Sequence, residues 1–102
     1  MKILLLEDDP LISEIIIERL RSSGYIVDYA FDILEAQKFI QKLDYDIYLF
    51  DVNIPNGNGF DFLEYLRSNE DKTPTIFITA LNGIEDVKNA FRSGCEIGRA
   101  HV

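Results

Sequence analysis

Acidic or hydroxyl side chains stand directly after three short apolar segments of the chain. They are Glu7, Asp8 and Asp9 after the first segment, Asp51 after the second and Thr79 after the third. Three or more carboxylates at one point repel one another, and a divalent cation removes that cost. Oxygen ligands without His or Cys select a hard ion such as Mg²⁺, whose coordination sphere has room for a phosphoryl group.

Each of these residues also has a purely structural interpretation when it is taken alone. Asp9 is placed to cap a helix, and Glu7 and Asp8 can favour the helix dipole in its first turn. Asp51 can bond turn amides, and Thr79 can end a strand and cap the next turn. The functional hypothesis therefore rests on their coincidence at the ends of three strands.

The elements that must position these residues are predicted to alternate between strand and helix. Strands are predicted at residues 3–6, 25–30, 47–51 and 75–79, each bounded by turn-forming residues. Such alternation indicates a parallel sheet with helices on both faces and right-handed crossovers. The second strand carries Asp28 and is predicted to lie at an edge. In such sheets the ligand site lies outside the carboxyl ends of the strands, which makes Asp51 a site candidate.

Four helices are predicted from capping residues and apolar stripes. The first begins with Asp9 as cap and Pro10, and ends at Gly24; the second begins with a capping box of Asp32 and Glu35. The third is followed by a polar loop at residues 68–73, and Gly94 ends the fourth. The predicted buried stripes are Leu11, Ile12, Ile15, Ile16 and Leu20 in the first helix; Ala36, Phe39, Ile40 and Leu43 in the second; Phe60, Phe62, Leu63 and Leu66 in the third; Ile84, Val87 and Phe91 in the fourth.

Length and composition limit the class of protein. A chain of 102 residues with 47% hydrophobic residues predicts one folded domain, and a net charge of −8 argues against nucleic-acid binding by this segment. The single cysteine, Cys95, has no partner for an internal disulfide. No apolar run approaches the length of a membrane span or a signal-peptide core. We expect a soluble, cytoplasmic protein.

Three segments together resemble the receiver domain of two-component response regulators: residues 2–9, 45–59 and 74–80. Within them, Pro55 and Gly59 stand four and eight residues after Asp51, and a Thr-Ala pair closes the fourth strand. The resemblance extends over residues 1 to about 95. It implies a flavodoxin-like, doubly wound parallel sheet with strand order 2-1-3-4.

The resemblance also implies roles for individual residues. Asp51 is implied to accept a phosphoryl group from a phosphohistidine on a sensor histidine kinase, and Thr79 to contact the phosphoryl oxygens. Pro55 and Gly59 are implied to shape the loop over the site. The implied Mg²⁺ ligands are Glu7, Asp8, Asp51 and the backbone carbonyl of Asn53. Such a domain is a signalling module rather than a turnover enzyme, and many relatives carry a DNA-binding domain after it.

The C-terminal segment departs from the family pattern. Family members have a fifth strand ending in Lys-Pro and a fifth helix, whereas no lysine follows Lys88 here. We therefore expect an incomplete receiver at residues 1–95 that is phosphorylated poorly. Residues 97–102 resemble the translation of a sequencing adapter, and residues 96–102 are hypothesised to be a non-native tail. The underlying nucleotide sequence tests that hypothesis.

Two other functions stay open at this point. One is a Mg²⁺-dependent phosphohydrolase with an aspartyl nucleophile, a class that usually has a second Asp two residues on as general acid. That position is Asn53 here, which has no titrating proton to donate. The other is a non-phosphorylated interaction module of the same fold.

Overall fold

A computed structural model describes residues 1–55 and 57–78, in which strands and helices alternate as the sequence predicts. The elements are β1 (Lys2–Leu6), α1 (Pro10–Ser22), β2 (Ile26–Ala30), α2 (Ile33–Lys42), β3 (Ile47–Asp51), α3 (Gly59–Ser68) and β4 (Thr75–Ile78). Between β3 and α3, Asn53–Ile54 pairs antiparallel with Gly57–Asn58, a unit named the ribbon below. Thr79, the predicted fourth helix and the C-terminal segment lie outside the described residues.

The main sheet is parallel, with the order β2-β1-β3-β4. This arrangement confirms the α/β, doubly wound fold and the predicted strand order 2-1-3-4. Asp28 of β2 pairs with Leu4 of β1, and β2 is an edge of the described sheet, as predicted. Because β1 and β3 are adjacent and parallel, the residues that follow Leu6 and Phe50 emerge at the same edge.

The sheet is covered on both faces because side chains of a strand alternate between the faces. One face packs against α2 and α3, and its buried strand residues include Leu4, Leu6, Tyr48, Phe50 and Phe77. The other face packs against α1, and its buried strand residues are Ile3, Leu5, Val27, Leu49, Ile76 and Ile78. Strands buried on both faces are typical of parallel sheets and explain the continuous apolar runs.

The helix boundaries follow from local hydrogen bonds. Asp9 Oδ1 accepts the N–H groups of Leu11 at 2.9 Å and Ile12 at 3.4 Å, which confirms the predicted cap. Gly24 follows the end of α1 with φ of +91°, the left-handed conformation that favours glycine. Asp32 Oδ1 accepts the Glu35 N–H at 2.8 Å, confirming half of the capping box.

The reciprocal hydrogen bond of the capping box, from the Asp32 amide to the Glu35 side chain, is not formed as predicted. Glu35 Oε1 accepts the N–H of Phe31 at 3.3 Å, rather than that of the capping residue Asp32. The β2 boundary also differs by one residue, because the strand begins at Ile26 rather than Tyr25.

The predicted apolar stripes need four corrections. Leu11 is 69% exposed and Ile15 is 41% exposed, whereas Ile17, outside the predicted stripe, packs against the core. Leu43 lies beyond the end of α2 as its extended C-cap and is 40% exposed. Phe60 is also exposed, although its ring packs on Phe77 with centroids 4.4 Å apart. The remaining predicted positions of α1 to α3 are buried or pack against the core.

Within the described ranges, the helices are too short or too polar for any of them to cross a membrane.

Candidate metal and phosphoacceptor site

Three carboxylates meet at the carboxyl ends of β1 and β3. Glu7 and Asp8 follow β1, Asp51 ends β3, and each offers an oxygen within 4.8 Å of the oxygens offered by the other two. Glu7 and Asp51 are buried, and Asp8 is exposed. The strand order produces this convergence, because β1 and β3 are neighbours and run in the same direction.

Glu7 is the most unusual member of the cluster, since its side chain is only 1% exposed. Its Oε2 accepts the N–H of Asp9 at 3.0 Å. Its Oε1 is buried and has no hydrogen-bond partner. A buried carboxylate oxygen without a partner is energetically costly, and a bound cation satisfies it directly. The donor set of carboxylate oxygens is of the kind that binds hard divalent ions such as Mg²⁺.

The pKa values of Glu7 and Asp51 also indicate that positive charge nearby would favour their ionised forms. Burial raises the pKa of Glu7 to about 8; the Asp9 amide opposes this shift, and the neighbouring Asp51 adds to it. Burial also raises the pKa of Asp51 and the charge of Asp8 adds to this shift, whereas the neighbouring Glu7 and the Asn53 amide oppose it. Without a cation, these shifts favour retention of a proton by the pair. A cation favours release of that proton, because it favours the charged form of both groups.

The backbone that follows Asp51 orients its carboxylate. Asp51 Oδ1 accepts the N–H of Asn53 at 3.2 Å, a local turn typical of Asp. Asn53 itself is exposed and begins the ribbon, opposite Asn58. Asn58 Oδ1 in turn accepts the N–H of Asp61 at 2.8 Å and caps α3. The ribbon thus connects the carboxylate to the start of α3.

The predicted site residues are placed in different ways by the structure. Glu7, Asp8 and Asp51 come together, and Asn53 is bonded to Asp51 through its amide. Asp9 is outside the cluster and caps α1. Thr79 lies outside the described residues. Gly59, implied by the resemblance to shape the loop, is the first residue of α3, directly before Phe60, where the predicted apolar stripe of that helix begins.

Comparison with known proteins identifies the family. The family model "Response regulator receiver domain" matches residues 3–97. The chain belongs to this family. Receiver domains of response regulators are signalling domains of two-component systems rather than enzymes, which removes the phosphohydrolase alternative.

Individual relatives agree with this assignment. The chain is 40% identical over 87 residues to the cell cycle response regulator CtrA of Brucella ovis, covering 84% of this chain and 37% of that protein. The chain thus spans about 37% of the length of the curated relatives it matches.

Solved receiver domains share the fold. The non-phosphorylated HemR receiver domain from Leptospira biflexa is 35% identical, with a TM-score of 0.71 and coverage of 91% of this chain and 75% of that one. The receiver domain of the Francisella response regulator 1452 is 31% identical, with a TM-score of 0.74 and coverage of 91% and 77%.

Proposed function

We propose that Asp51 accepts a phosphoryl group from a phosphohistidine of a sensor histidine kinase, with Mg²⁺ held by Glu7, Asp8 and Asp51. The observation that carries this proposal is the cluster of three carboxylates within 4.8 Å, one of which has a buried oxygen without a partner. Such a cluster is unfavourable in its fully ionised form, and a bound cation removes that cost. Membership of the receiver family supports the same function.

The transfer needs little covalent chemistry from the protein. A carboxylate oxygen of Asp51 attacks the phosphorus, and an O–P bond forms as the P–N bond to the donor imidazole breaks. The imidazole leaves with the electron pair and becomes neutral by retaining or taking up one proton. Mg²⁺, when bound, would neutralise charge on the phosphoryl oxygens. The protein's part is to hold the carboxylate ionised and in line, and the Asn53 amide bonded to Asp51 Oδ1 contributes to that orientation.

Two further residues complete the proposed site. The backbone carbonyl of Asn53 is proposed as a fourth Mg²⁺ ligand, because the Asn53 amide closes the turn on Asp51 Oδ1 and so holds this residue beside the carboxylate. Thr79 is proposed to contact the phosphoryl oxygens, since it is the next residue in the sequence after Ile78, which pairs with Asp51.

The partner proteins are part of the proposal. A sensor histidine kinase would be the phosphodonor, in the cytoplasm, and residues 1–95 would be the receiver unit. A DNA-binding output domain following the receiver in the longer protein would carry the response. The net charge of −8 is consistent with nucleic-acid contact through such a second domain rather than through this one.

The test is phosphorylation by a small phosphodonor such as acetyl phosphate in the presence of Mg²⁺. One phosphoryl group per chain is expected by intact mass, and peptide mapping should place it on Asp51. Asp51→Asn should abolish the added mass. Asp44→Asn, at an exposed position before β3, is the matched control and should be labelled like the unchanged chain.

Two results would count against the proposal. Labelling that persists in Asp51→Asn would show that another residue accepts the group. A chain that binds Mg²⁺ but is never labelled would favour the non-phosphorylated interaction module instead.

A further inference from the structure

The start of α3 lies against the main chain of Asp51. A Cβ atom built on Gly59 would lie 2.3 Å from the carbonyl oxygen of Asp51 and 3.2 Å from its carbonyl carbon. The same atom would lie 3.3 Å from Cε1 of Phe77 in β4. The closest obstacle is backbone, which cannot move aside as the end of a flexible side chain can. Any side chain at position 59 therefore displaces α3, Asp51 or both.

Gly59 differs from the other described glycines in what it provides. Gly24 and Gly57 have positive φ angles of +91° and +151°, so their role is conformational. A Cβ at Gly24 would meet nothing within 4 Å, and one at Gly57 would meet the flexible end of Ile33. Gly59 has ordinary helical geometry as the first residue of α3. Gly59 therefore contributes by lacking a side chain, which allows α3 to approach the Asp51 main chain.

The peptide after Asp51 has little freedom to yield. The N–H of Val52 donates to the carbonyl of Ile78 in β4 at 3.2 Å. The N–H of Gly59 donates to the carbonyl of Val52 at 2.9 Å. Moving the Asp51 carbonyl away from α3 would strain both bonds, and it would also shift the carboxylate on the same residue.

We infer that Gly59 is a positioning residue, whose missing side chain sets the distance between α3 and Asp51 and so aligns the Asp51 carboxylate with Glu7 and Asp8. This inference rests on the proposed function, because it concerns the same cation site. It predicts that added volume at position 59 weakens Mg²⁺ binding beyond any loss of stability. Supporting contacts around metal ligands commonly change metal affinity by about 10-fold to 100-fold.

The experiment is a calorimetric Mg²⁺ titration of the full 102-residue chain and two variants. Gly59→Ala should raise the dissociation constant by about tenfold or more. Gly24→Ala introduces backbone strain at the opposite edge of the sheet without a contact, so it should lower the melting temperature and leave the dissociation constant unchanged. If both variants weaken binding equally, or Gly59→Ala binds like the unchanged chain, the inference is wrong. If the unchanged chain itself does not bind Mg²⁺, the proposed function fails instead.

A measurement on the unchanged chain decides the question even if Gly59→Ala does not fold. In ¹H–¹⁵N spectra, saturation with Mg²⁺ should shift the amides of Val52 and Gly59 together with those of Glu7 and Asp8. The amide of Gly24 should stay in place. Shifts confined to Glu7 and Asp8 would show that α3 is not coupled to the carboxylate and would overturn the inference.

Discussion

The hydroxyl of Tyr48 donates a hydrogen bond to Asp71 Oδ2 at 2.5 Å, linking the interior of β3 to the loop before β4. Asp71 Oδ1 accepts from the amide and hydroxyl of Thr73 at 3.0 and 2.6 Å. Arg67 of α3 donates to the carbonyls of Asp71 and Thr73 at 2.8 and 2.9 Å. This network joins α3, β3 and β4 at the end of the sheet opposite the carboxylate cluster.

Tyr48→Phe should lower the free energy of unfolding by about 1–2 kcal/mol, because the change removes the buried hydroxyl and leaves Asp71 with one donor group fewer. Tyr65→Phe is the control, since the Tyr65 ring is exposed and little change is expected. Urea denaturation of the three proteins measures the difference. Equal midpoints for Tyr48→Phe and the unchanged chain would show that the bond contributes nothing net.

Acid should weaken the same network. Burial alone would raise the pKa of Asp71, but hydrogen bonds from Thr73 and Tyr48 outweigh it and lower the pKa below its ordinary value of 3.8. The stabilisation is therefore present above pH 3.8 and is lost as pH falls through the lowered folded-state pKa. The loss of stability on acidification should be smaller in Asp71→Asn than in the unchanged chain. Parallel acid titrations followed by circular dichroism provide the measurement.

Glu7 should give the opposite pH dependence when no divalent cation is present. Its pKa rises from 4.5 to about 8 on folding, so the folded state binds more protons than the unfolded state between these values. Stability should therefore fall as pH rises from 4.5 to about 8. Glu7→Gln keeps the shape without the charge and should be more stable than the unchanged chain at pH 8 in chelator. Identical stability–pH curves for the two proteins would contradict the assigned burial cost.

Added Mg²⁺ should stabilise the fold, because it binds the folded cluster and not the unfolded chain. At a concentration of about 100 times the dissociation constant the gain is about 2.7 kcal/mol. At a fixed Mg²⁺ concentration the gain should be larger at pH 8 than at pH 6, because Glu7 must release its proton before the cation binds. Asp8→Asn should remove most of the gain, whereas Asp44→Asn should retain it. Melting curves that millimolar Mg²⁺ leaves unchanged in the unmodified chain would count against the site.

Asp9 should behave as a helix cap and not as a ligand. Asp9→Ala should lower the free energy of unfolding by about 1 kcal/mol, the usual consequence of losing a capping side chain. Asp9→Ser keeps a capping oxygen and should recover most of that stability. Both variants should bind Mg²⁺ like the unchanged chain in calorimetry. A large loss of affinity in Asp9→Ser would place Asp9 among the ligands after all.

The local features of the fold could be predicted because their causes are local. Asp9 and Pro10 start α1 through bonds within one turn, and the apolar runs of β1 and β3 need only burial on two faces. The rotation of α1 about its axis could not be predicted as well. The run Ile15-Ile16-Ile17 offers apolar side chains across 200° of the helix, and only packing on the sheet decides that Ile16 and Ile17 turn inward while Ile15 does not.

The candidate site shows the same division. Glu7, Asp8 and Asp51 were predictable because strand ends collect at one edge of a parallel sheet. The contact of Gly59 with the Asp51 carbonyl depends on where α3 begins, and the pairing of Tyr48 with Asp71 joins residues 23 positions apart. The family resemblance implied that Gly59 shapes the loop over the site, but no periodicity or local motif predicts its contact with the Asp51 carbonyl or the pairing of Tyr48 with Asp71.

The two unlike faces of the sheet restrict how β3 can join its neighbours during folding. The fully buried aromatic rings of the described core lie on the face covered by α2 and α3, whereas the fully buried strand side chains under α1 are aliphatic and Tyr29 of β2 is only partly buried there. A slip of one residue would force Tyr48 and Phe50 beneath α1, where branched aliphatic side chains already fill the space. A slip of two residues would keep the faces but carry Asp51 about 7 Å along the strand direction, away from Glu7. The volume of the Tyr48 and Phe50 rings thus disfavours a one-residue shift of β3. A two-residue shift would separate the carboxylates that cation binding requires.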